Sequence, residues 1–103
     1  MKLWLDDIRE APEGWIWVKT PAEFWRALGH VKLSEVEAIS FDNDLGENQS
    51  EGWEIAKDLL ELFISQPMLR YAPVMDCHSA NVAARPRIEG YINDIYRVVG
   101  DIC

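Results

Sequence analysis

Four short apolar runs alternate with three helical patterns, and this alternation constrains the fold more than any other feature of the sequence. The runs span residues 2–5, 15–18, 37–41 and 72–77. Helical periodicity follows the second, third and fourth runs. Strands that alternate with helices form a parallel sheet covered by helices. The sequence therefore predicts an α/β fold with a mostly parallel, four-stranded sheet.

Capping residues place the helices. Thr20 is the predicted N-cap of the first helix, Pro21 takes its first position, and Glu23 completes a capping box. The second helix is predicted over about 50–65, and the third begins near residue 81 or 86. The connection between the first two strands is shorter than the dozen or so residues that a parallel crossover usually needs. The second strand is therefore expected either at a sheet edge or in a different pairing.

Length and charge limit the classes of function. The chain has 103 residues, which predicts one domain over 1–103. Its net charge of -8 opposes binding to a nucleic-acid backbone, so no duplex DNA partner is expected. A phosphate substrate remains compatible with this charge, because a bound cation reverses the local field.

The expected compartment is the cytoplasm. Cys77 and Cys103 form no Cys-x-x-Cys pattern and are predicted to be reduced thiols. Residues 1–7 turn acidic too early for a signal peptide. No apolar run approaches the ~20 residues of a membrane span, so no membrane partner is expected.

Polar clusters follow three of the four predicted strands, and these clusters carry the candidate chemistry. They are Asp6-Asp7, the segment 42–44, and the segment 78–81. In a parallel sheet the carboxyl ends of the strands share one rim, where ligands bind. Aspartates also commonly cap turns, so each cluster taken alone has an ordinary structural explanation. Their convergence on one rim is what favours a functional site.

A divalent metal is predicted at this rim, because clustered carboxylates repel one another without a cation. Mg²⁺ or Mn²⁺ fits oxygen ligands, and so does Ca²⁺. Asp7 and Asp42 are the predicted direct ligands. Asp6 is expected to bind directly or through water, and Asp44 either binds the metal or caps the loop around Gly46.

The remaining candidates each have two interpretations. His78 fits a general acid or base, or a metal ligand. Ser79 either donates to a phosphate oxygen or caps a turn, and Asn81 either orients substrate or caps the last helix. Arg9 fits a bidentate phosphate contact or an ion pair within the acidic cluster. Arg85, with Arg87 beside it, fits an anion site at a helix start or a solvated surface.

The motifs together resemble the cyclic-phosphate processing receiver-like family, which is similar to response-regulator receiver domains. The residues that carry the resemblance are Leu5-Asp6-Asp7-Ile8-Arg9, Pro12-Glu13-Gly14-Trp15, Phe41-Asp42-Asn43-Asp44-Leu45-Gly46 and His78-Ser79-Ala80-Asn81. The resemblance implies a compact, receiver-like (flavodoxin-like), three-layer fold that is truncated relative to a full receiver. It also matches Asp6 and Asp7 to the receiver acidic pair, Asp42 to the carboxylate that receivers phosphorylate, and Ser79 to the residue that contacts the phosphoryl group.

Two departures from the family pattern bear on function. Family members usually carry His where this chain has Asn43, so His78 would be left as the catalytic histidine. Ordinary receivers also have a fifth strand that ends in a Lys, and this chain has no Lys after Lys57. That difference counts against a phosphorelay role.

The resemblance implies a metal-dependent phosphoesterase that acts on a cyclic or terminal phosphate of a nucleotide or RNA end. His78, Asp42 and Ser79 would be catalytic, and Arg9, Asn81 and Arg85 would bind substrate. The alternatives are a module that binds a phosphorylated ligand without turnover, a receiver that accepts phosphate on Asp42, and a structural interaction protein.

Overall fold

A computed structural model describes residues 1–102, with side chains described through residue 100. Cys103, predicted to be a reduced thiol, lies outside the described residues. The strands are β1 (Lys2–Leu5), β2 (Ile16–Val18), β3 (Ala38–Phe41) and β4 (Val74–Cys77). The helices are α1 (Pro21–Gly29), α2 (Gly52–Ser65) and α3 (Arg85–Ile102), and a short 3₁₀ helix covers Leu33–Glu35. None of the helices in this described part is long and apolar enough to cross a membrane.

All four strands are parallel and lie in the order β2-β1-β3-β4. This is the order of the first four strands of the 2-1-3-4-5 flavodoxin-like sheet. The predicted receiver-like α/β fold is therefore confirmed, and the sheet is entirely rather than mostly parallel. β2 lies at an edge and pairs parallel with β1, although the chain between them contains no helix.

One face of the sheet, called here the covered face, holds the core. It carries Leu3, Leu5, Ile39, Phe41, Met75 and Cys77, and all six are buried. They share one apolar cluster with residues of all three helices, such as Phe24, Leu59 and Ile95. Complete burial of a side chain such as Phe41 contributes about 1.5–3 kcal/mol relative to an exposed one. The helices therefore stabilise the sheet from this side.

The connections explain why the helices share that face. The crossover from β2 to β3 and the one from β3 to β4 run in the same direction across the sheet. Right-handed crossovers that run in one direction put their helices on one face. α3 packs against α2 and β4 and so joins the same layer. The opposite connection, from β1 to β2, would place a helix on the other face, but it is a loop.

The expected third layer is accordingly not formed by residues 1–102, which is the one correction to the predicted architecture. The register places Lys2, Trp4, Ala38, Ser40, Val74 and Asp76 on the second face, called here the open face. Val74 is 70% exposed there, and Lys2 and Asp76 are exposed. Ser40 is buried beneath its neighbours.

Candidate metal-binding site

The carboxyl ends of the strands open onto a pocket of about 540 Å³. Five carboxylate side chains and one guanidinium are among the groups that line it: Asp6, Asp7, Asp42, Asp44, Glu51 and Arg9. The first two predicted acidic clusters therefore lie in one pocket. Ala80, from the third cluster, also lines it.

Asp6 is held rigidly at the end of β1. Its Oδ1 accepts hydrogen bonds from the backbone amides of Ile8 and Arg9, both at 2.8 Å. Its Oδ2 lies 3.0 Å from His78 Nε2. Burial alone would raise the pKa of Asp6, but the bonds from the Arg9 and Ile8 amides and from His78 outweigh burial and hold this pKa below its ordinary value.

Asp42, at the end of β3, has the opposite environment. Its backbone amide donates to Leu5 O at 2.9 Å, which fixes the strand end beside β1. Burial raises the pKa of Asp42, and the negative charge of Asp6 raises it further. Hydrogen bonds from the Asn43 amide and the Ser79 hydroxyl offset only part of this rise. The carboxylate of Asp42 is therefore the one that a nearby cation would stabilise most.

His78 completes a compact group with these two aspartates. One ligand atom from each of Asp6, Asp42 and His78 lies within 4.8 Å of the others. Two carboxylate oxygens suit a hard divalent cation such as Mg²⁺ or Mn²⁺, and an imidazole nitrogen is a common third ligand of divalent metals. The donor set therefore fits the predicted class of metal.

The His78 ring is fixed from three sides. Its Nδ1 lies 2.7 Å from Ser40 Oγ, and its Nε2 faces Asp6. The Trp4 ring stacks on it with centroids 3.8 Å apart and planes 7° from parallel. Ser40 in turn donates a hydrogen bond to Asp76 Oδ1. Neither Trp4, Ser40 nor Asp76 was a sequence candidate, although a serine within the apolar run of β3 was an available signal.

Asp7 and Asp44 also line the pocket. Asp7 is half-buried and lies outside the group formed by Asp6, Asp42 and His78. A β-carbon at Gly46 would come within 3.6 Å of Asp7 Oδ2, and the φ of +106° at Gly46 disfavours any other residue. Asp44 is exposed, and its carboxylate accepts from Asn81 Nδ2 at 3.4 Å.

Asn43 supports the loop after β3 and is not among the residues that line the pocket. It is completely buried. Its Oδ1 accepts from the Trp53 amide at 3.2 Å, and its Nδ2 donates to Glu51 Oε1 at 3.2 Å. These bonds attach the loop after β3 to the start of α2. The side chain at this position therefore supports Glu51, one of the carboxylates that line the pocket.

Gly52 allows this close approach of α2 to the end of β3. A β-carbon at Gly52 would lie 1.9 Å from Asp42 O, which no side chain can tolerate. The Gly52 amide also donates to Asn43 O at 2.8 Å. The position of Asp42 therefore depends on a glycine that carries no chemistry itself.

Arg9, Ser79 and Asn81 are engaged in local contacts near the pocket. Arg9 Nη1 donates to the His78 carbonyl at 2.9 Å, and its Nε lies 4.0 Å from Asp6 Oδ2. Ser79 Oγ accepts from the Asn81 amide at 3.1 Å. Asn81 Oδ1 accepts from the amides of Ala83 and Ala84, which caps the turn before α3. The sequence left a structural role open for each of these residues, and the structure contains that role. Arg9 lies close to Asp6 within the acidic cluster, Ser79 caps a turn, and Asn81 caps the start of the last helix.

Arg85 lies elsewhere. It lines a separate groove between β4 and α3, and its Nε is 3.5 Å from Glu89 Oε1. Arg87 lies over the Trp53 ring at 3.9 Å. The structure therefore does not bring Arg85 to the acidic pocket with the other candidates.

The fold and pocket define a receiver-like domain with an acidic site at the carboxyl edge of its sheet. A comparison with protein-family profiles agrees, since the profile of the cyclic-phosphate processing receiver domain matches residues 1–94. The chain belongs to this family. Searches of curated proteins and of solved structures gave no match.

Proposed function

We propose that this protein hydrolyses a cyclic or terminal phosphate on a nucleotide or RNA end with the help of a divalent metal. The observation that carries the proposal is the group of Asp6, Asp42 and His78, whose ligand atoms lie within 4.8 Å of one another. Membership of a family described by cyclic-phosphate processing supplies the substrate class.

Asp6 and Asp42 are the proposed residues that hold the metal, which is Mg²⁺ or Mn²⁺. Asp7 and Asp44, which line the same pocket, would contact it through water. A cation there supplies positive charge to a phosphoryl oxygen and makes a nearby water more acidic. It also offsets the repulsion that raises the pKa of Asp42.

His78 is the proposed general base. Its Nε2 lies 3.0 Å from Asp6 Oδ2, and a cation held by that carboxylate would free Nε2 to accept a proton. Water attacks phosphorus, the proton of that water passes to His78 Nε2, and one phosphate ester P–O bond breaks. The same nitrogen then returns the proton to the leaving oxygen, which yields a phosphomonoester from a cyclic phosphodiester.

Arg9 and Ser79 are the proposed groups that stabilise charge on the phosphate. Arg9 is half-exposed at the pocket wall, so its guanidinium can exchange the His78 carbonyl for a phosphate oxygen. Ser79 already contacts the Asp42 carboxylate. Asn81 can orient substrate only if its side-chain amide gives up its hydrogen bond to Asp44. Arg85 has no proposed role, because it lies in the groove between β4 and α3.

A substrate panel tests the proposal. The purified protein is incubated with Mn²⁺ or Mg²⁺ and with 2′,3′-cyclic nucleotides, 3′,5′-cyclic nucleotides, and RNA oligonucleotides that end in a cyclic or terminal phosphate. ³¹P NMR follows ring opening or phosphate release, and chelation of the metal should stop it. Tight binding with every ligand recovered intact would instead identify a sequestering module.

A receiver-type phosphorylation of Asp42 is the competing chemistry. No lysine is among the described residues that line the pocket, so the group that holds a phosphoryl oxygen in receivers has no counterpart there. We therefore expect no stable adduct when the protein is incubated with acetyl phosphate and Mg²⁺ and its intact mass is measured. A mass increase of one phosphoryl group would favour the receiver.

A further inference from the structure

The open face of the sheet carries a chain of hydrogen bonds that runs from the protein surface to the acidic pocket. Asp76 on β4 and Ser40 on β3 are register partners. Ser40 Oγ contacts both Asp76 Oδ1 and His78 Nδ1. His78 Nε2 then lies 3.0 Å from Asp6 Oδ2. The sequence alone did not indicate this chain, and the hydrolysis proposed above does not account for Ser40 or Asp76.

The number of protons available fixes the direction of these bonds. A carboxylate only accepts hydrogen bonds, and a serine hydroxyl has one proton to donate. Ser40 therefore gives its proton to Asp76, and its oxygen is left as the acceptor for His78. The proton in the second bond must then belong to Nδ1 of the ring.

We propose that Ser40 and Asp76 are positioning residues that keep a proton on Nδ1 of His78, so that the proton which Nε2 shares with Asp6 is the one that exchanges with the pocket. The inference rests on the proposed function only where it gives Nε2 a role in proton transfer. The hydrogen-bond directions between Asp76, Ser40 and Nδ1 follow from the fold alone. A histidine whose far nitrogen is fixed by a neighbouring acceptor presents one defined nitrogen to a reaction or a metal.

Two further contacts hold the ring in this orientation. Trp4 stacks flat against it, and the guanidinium of Arg9 donates to the backbone carbonyl of the same residue. Ser40 is 2% exposed, so water has little access to its hydroxyl. Asp76 is exposed and therefore open to substitution without loss of core packing.

The direct test is the protonation of each ring nitrogen, read from long-range ¹H–¹⁵N correlations of ¹⁵N-histidine-labelled protein. The full chain is measured without metal and with saturating Mg²⁺, which is diamagnetic. We expect Nδ1 of His78 to be protonated in both states. His30, which is exposed, is the internal control. An unprotonated Nδ1 in the wild-type protein would overturn the proposal.

Substitutions test whether Ser40 and Asp76 act on the His78 ring or only support the fold in general. Ser40→Ala removes the acceptor, and Asp76→Ala frees the Ser40 hydroxyl to donate to Nδ1. Both variants should lower the fraction of protein with a protonated Nδ1, whereas Ser40→Thr should keep the wild-type spectrum. Ser65→Ala and Asp58→Ala, at exposed positions of α2, are the matched controls. Unchanged His78 signals in both test variants would also overturn the proposal.

Kinetics supply the functional readout, with 2′,3′-cyclic AMP and Mn²⁺ as the probe. Ser40→Ala should lower kcat by about 10²-fold or more with little change in KM, since general-base catalysis contributes about 10²–10⁴-fold. Ser40→Thr should restore most of that loss. An equal kcat for wild type and Ser40→Ala would contradict the positioning role. If no variant turns over, the hydrolase proposal fails, and the NMR result still decides the role of Ser40 and Asp76.

Discussion

The covered face and the open face of the sheet differ in what their side chains contact. Side chains on the covered face, such as Phe41, belong to one apolar cluster with residues from all three helices. Side chains on the open face, such as Trp4, Ser40 and Asp76, contact polar groups and the His78 ring. One face therefore holds the fold together, while the other orients a residue of the acidic pocket. Each experiment below tests whether this separation is real.

The largest expected effect is on turnover. Asp42→Asn removes a proposed metal ligand and should lower kcat/KM by about 10³-fold or more, since metal charge contributes several kcal/mol to the transition state. The variant should remain folded, because it loses the charge repelled by Asp6. Hydrolysis of cyclic phosphates with Mn²⁺ measures it, with Asp58→Asn as the control. Turnover within a few-fold of wild type would remove Asp42 from the site.

The next effect is on stability and compares the faces directly. Phe41→Ala on the covered face should lower the free energy of unfolding by about 3–5 kcal/mol. Val74→Ala on the open face should change it by no more than about 0.5 kcal/mol, because Val74 is 70% exposed. Urea denaturation followed by tryptophan fluorescence measures both. Similar losses in the two variants would show that the open face is also part of a packed interface.

A smaller effect distinguishes the two buried aspartates in the absence of metal. The folded pKa of Asp6 is lowered, so its contribution to stability is present above its unfolded pKa and is lost as the pH falls through the folded value. The folded pKa of Asp42 is raised, so the fold loses stability as the pH rises through that value. The two carboxylates therefore affect neutral-pH stability with opposite signs.

Asp6→Asn should accordingly destabilise the metal-free protein at neutral pH by about 1.5–3 kcal/mol, the usual value of a hydrogen bond to a charged group. Asp42→Asn should stabilise it by about 0.5–2 kcal/mol. Both differences should shrink as the pH is lowered to about 3, where carboxyl groups become protonated. Denaturation at several pH values checks this, and equal signs for the two variants would refute the contrast.

The smallest effect concerns the arginines. Arg9→Ala should lower kcat/KM by about tenfold, equivalent to about 1.4 kcal/mol, because it removes a charge from the pocket wall. Arg85→Ala should leave kcat/KM nearly unchanged, because Arg85 lies in the groove between β4 and α3. Parallel kinetics on the two variants compare the sites, and a larger loss for Arg85 would place substrate on the other side of β4.

Much of this architecture could be predicted from the sequence, because it depends on local patterns. The apolar runs and the capping residues Thr20 and Glu23 define elements that the structure contains. The shared pocket followed from a general property of parallel sheets, which place the ends of their strands at one edge. Neither inference required knowledge of side-chain contacts.

The finer features could not be predicted, because they depend on register and on which faces are covered. Ser40 meets Asp76 only through the pairing of β3 with β4, which the sequence does not specify. The orientation of Asp6 rather than Asp7 towards His78 depends on the turn that its Oδ1 closes with two backbone amides. The missing third layer follows from a short loop where other doubly wound folds have a helix.

Crystals grown with Mn²⁺ give the most direct test of the central claim, which is that Asp6 and Asp42 hold a divalent cation beside His78. An anomalous difference map should show one strong peak between the two carboxylates in the wild-type protein and none in Asp42→Asn. A map without a peak there, or with a peak bound only by Asp7 and Asp44, would contradict the account.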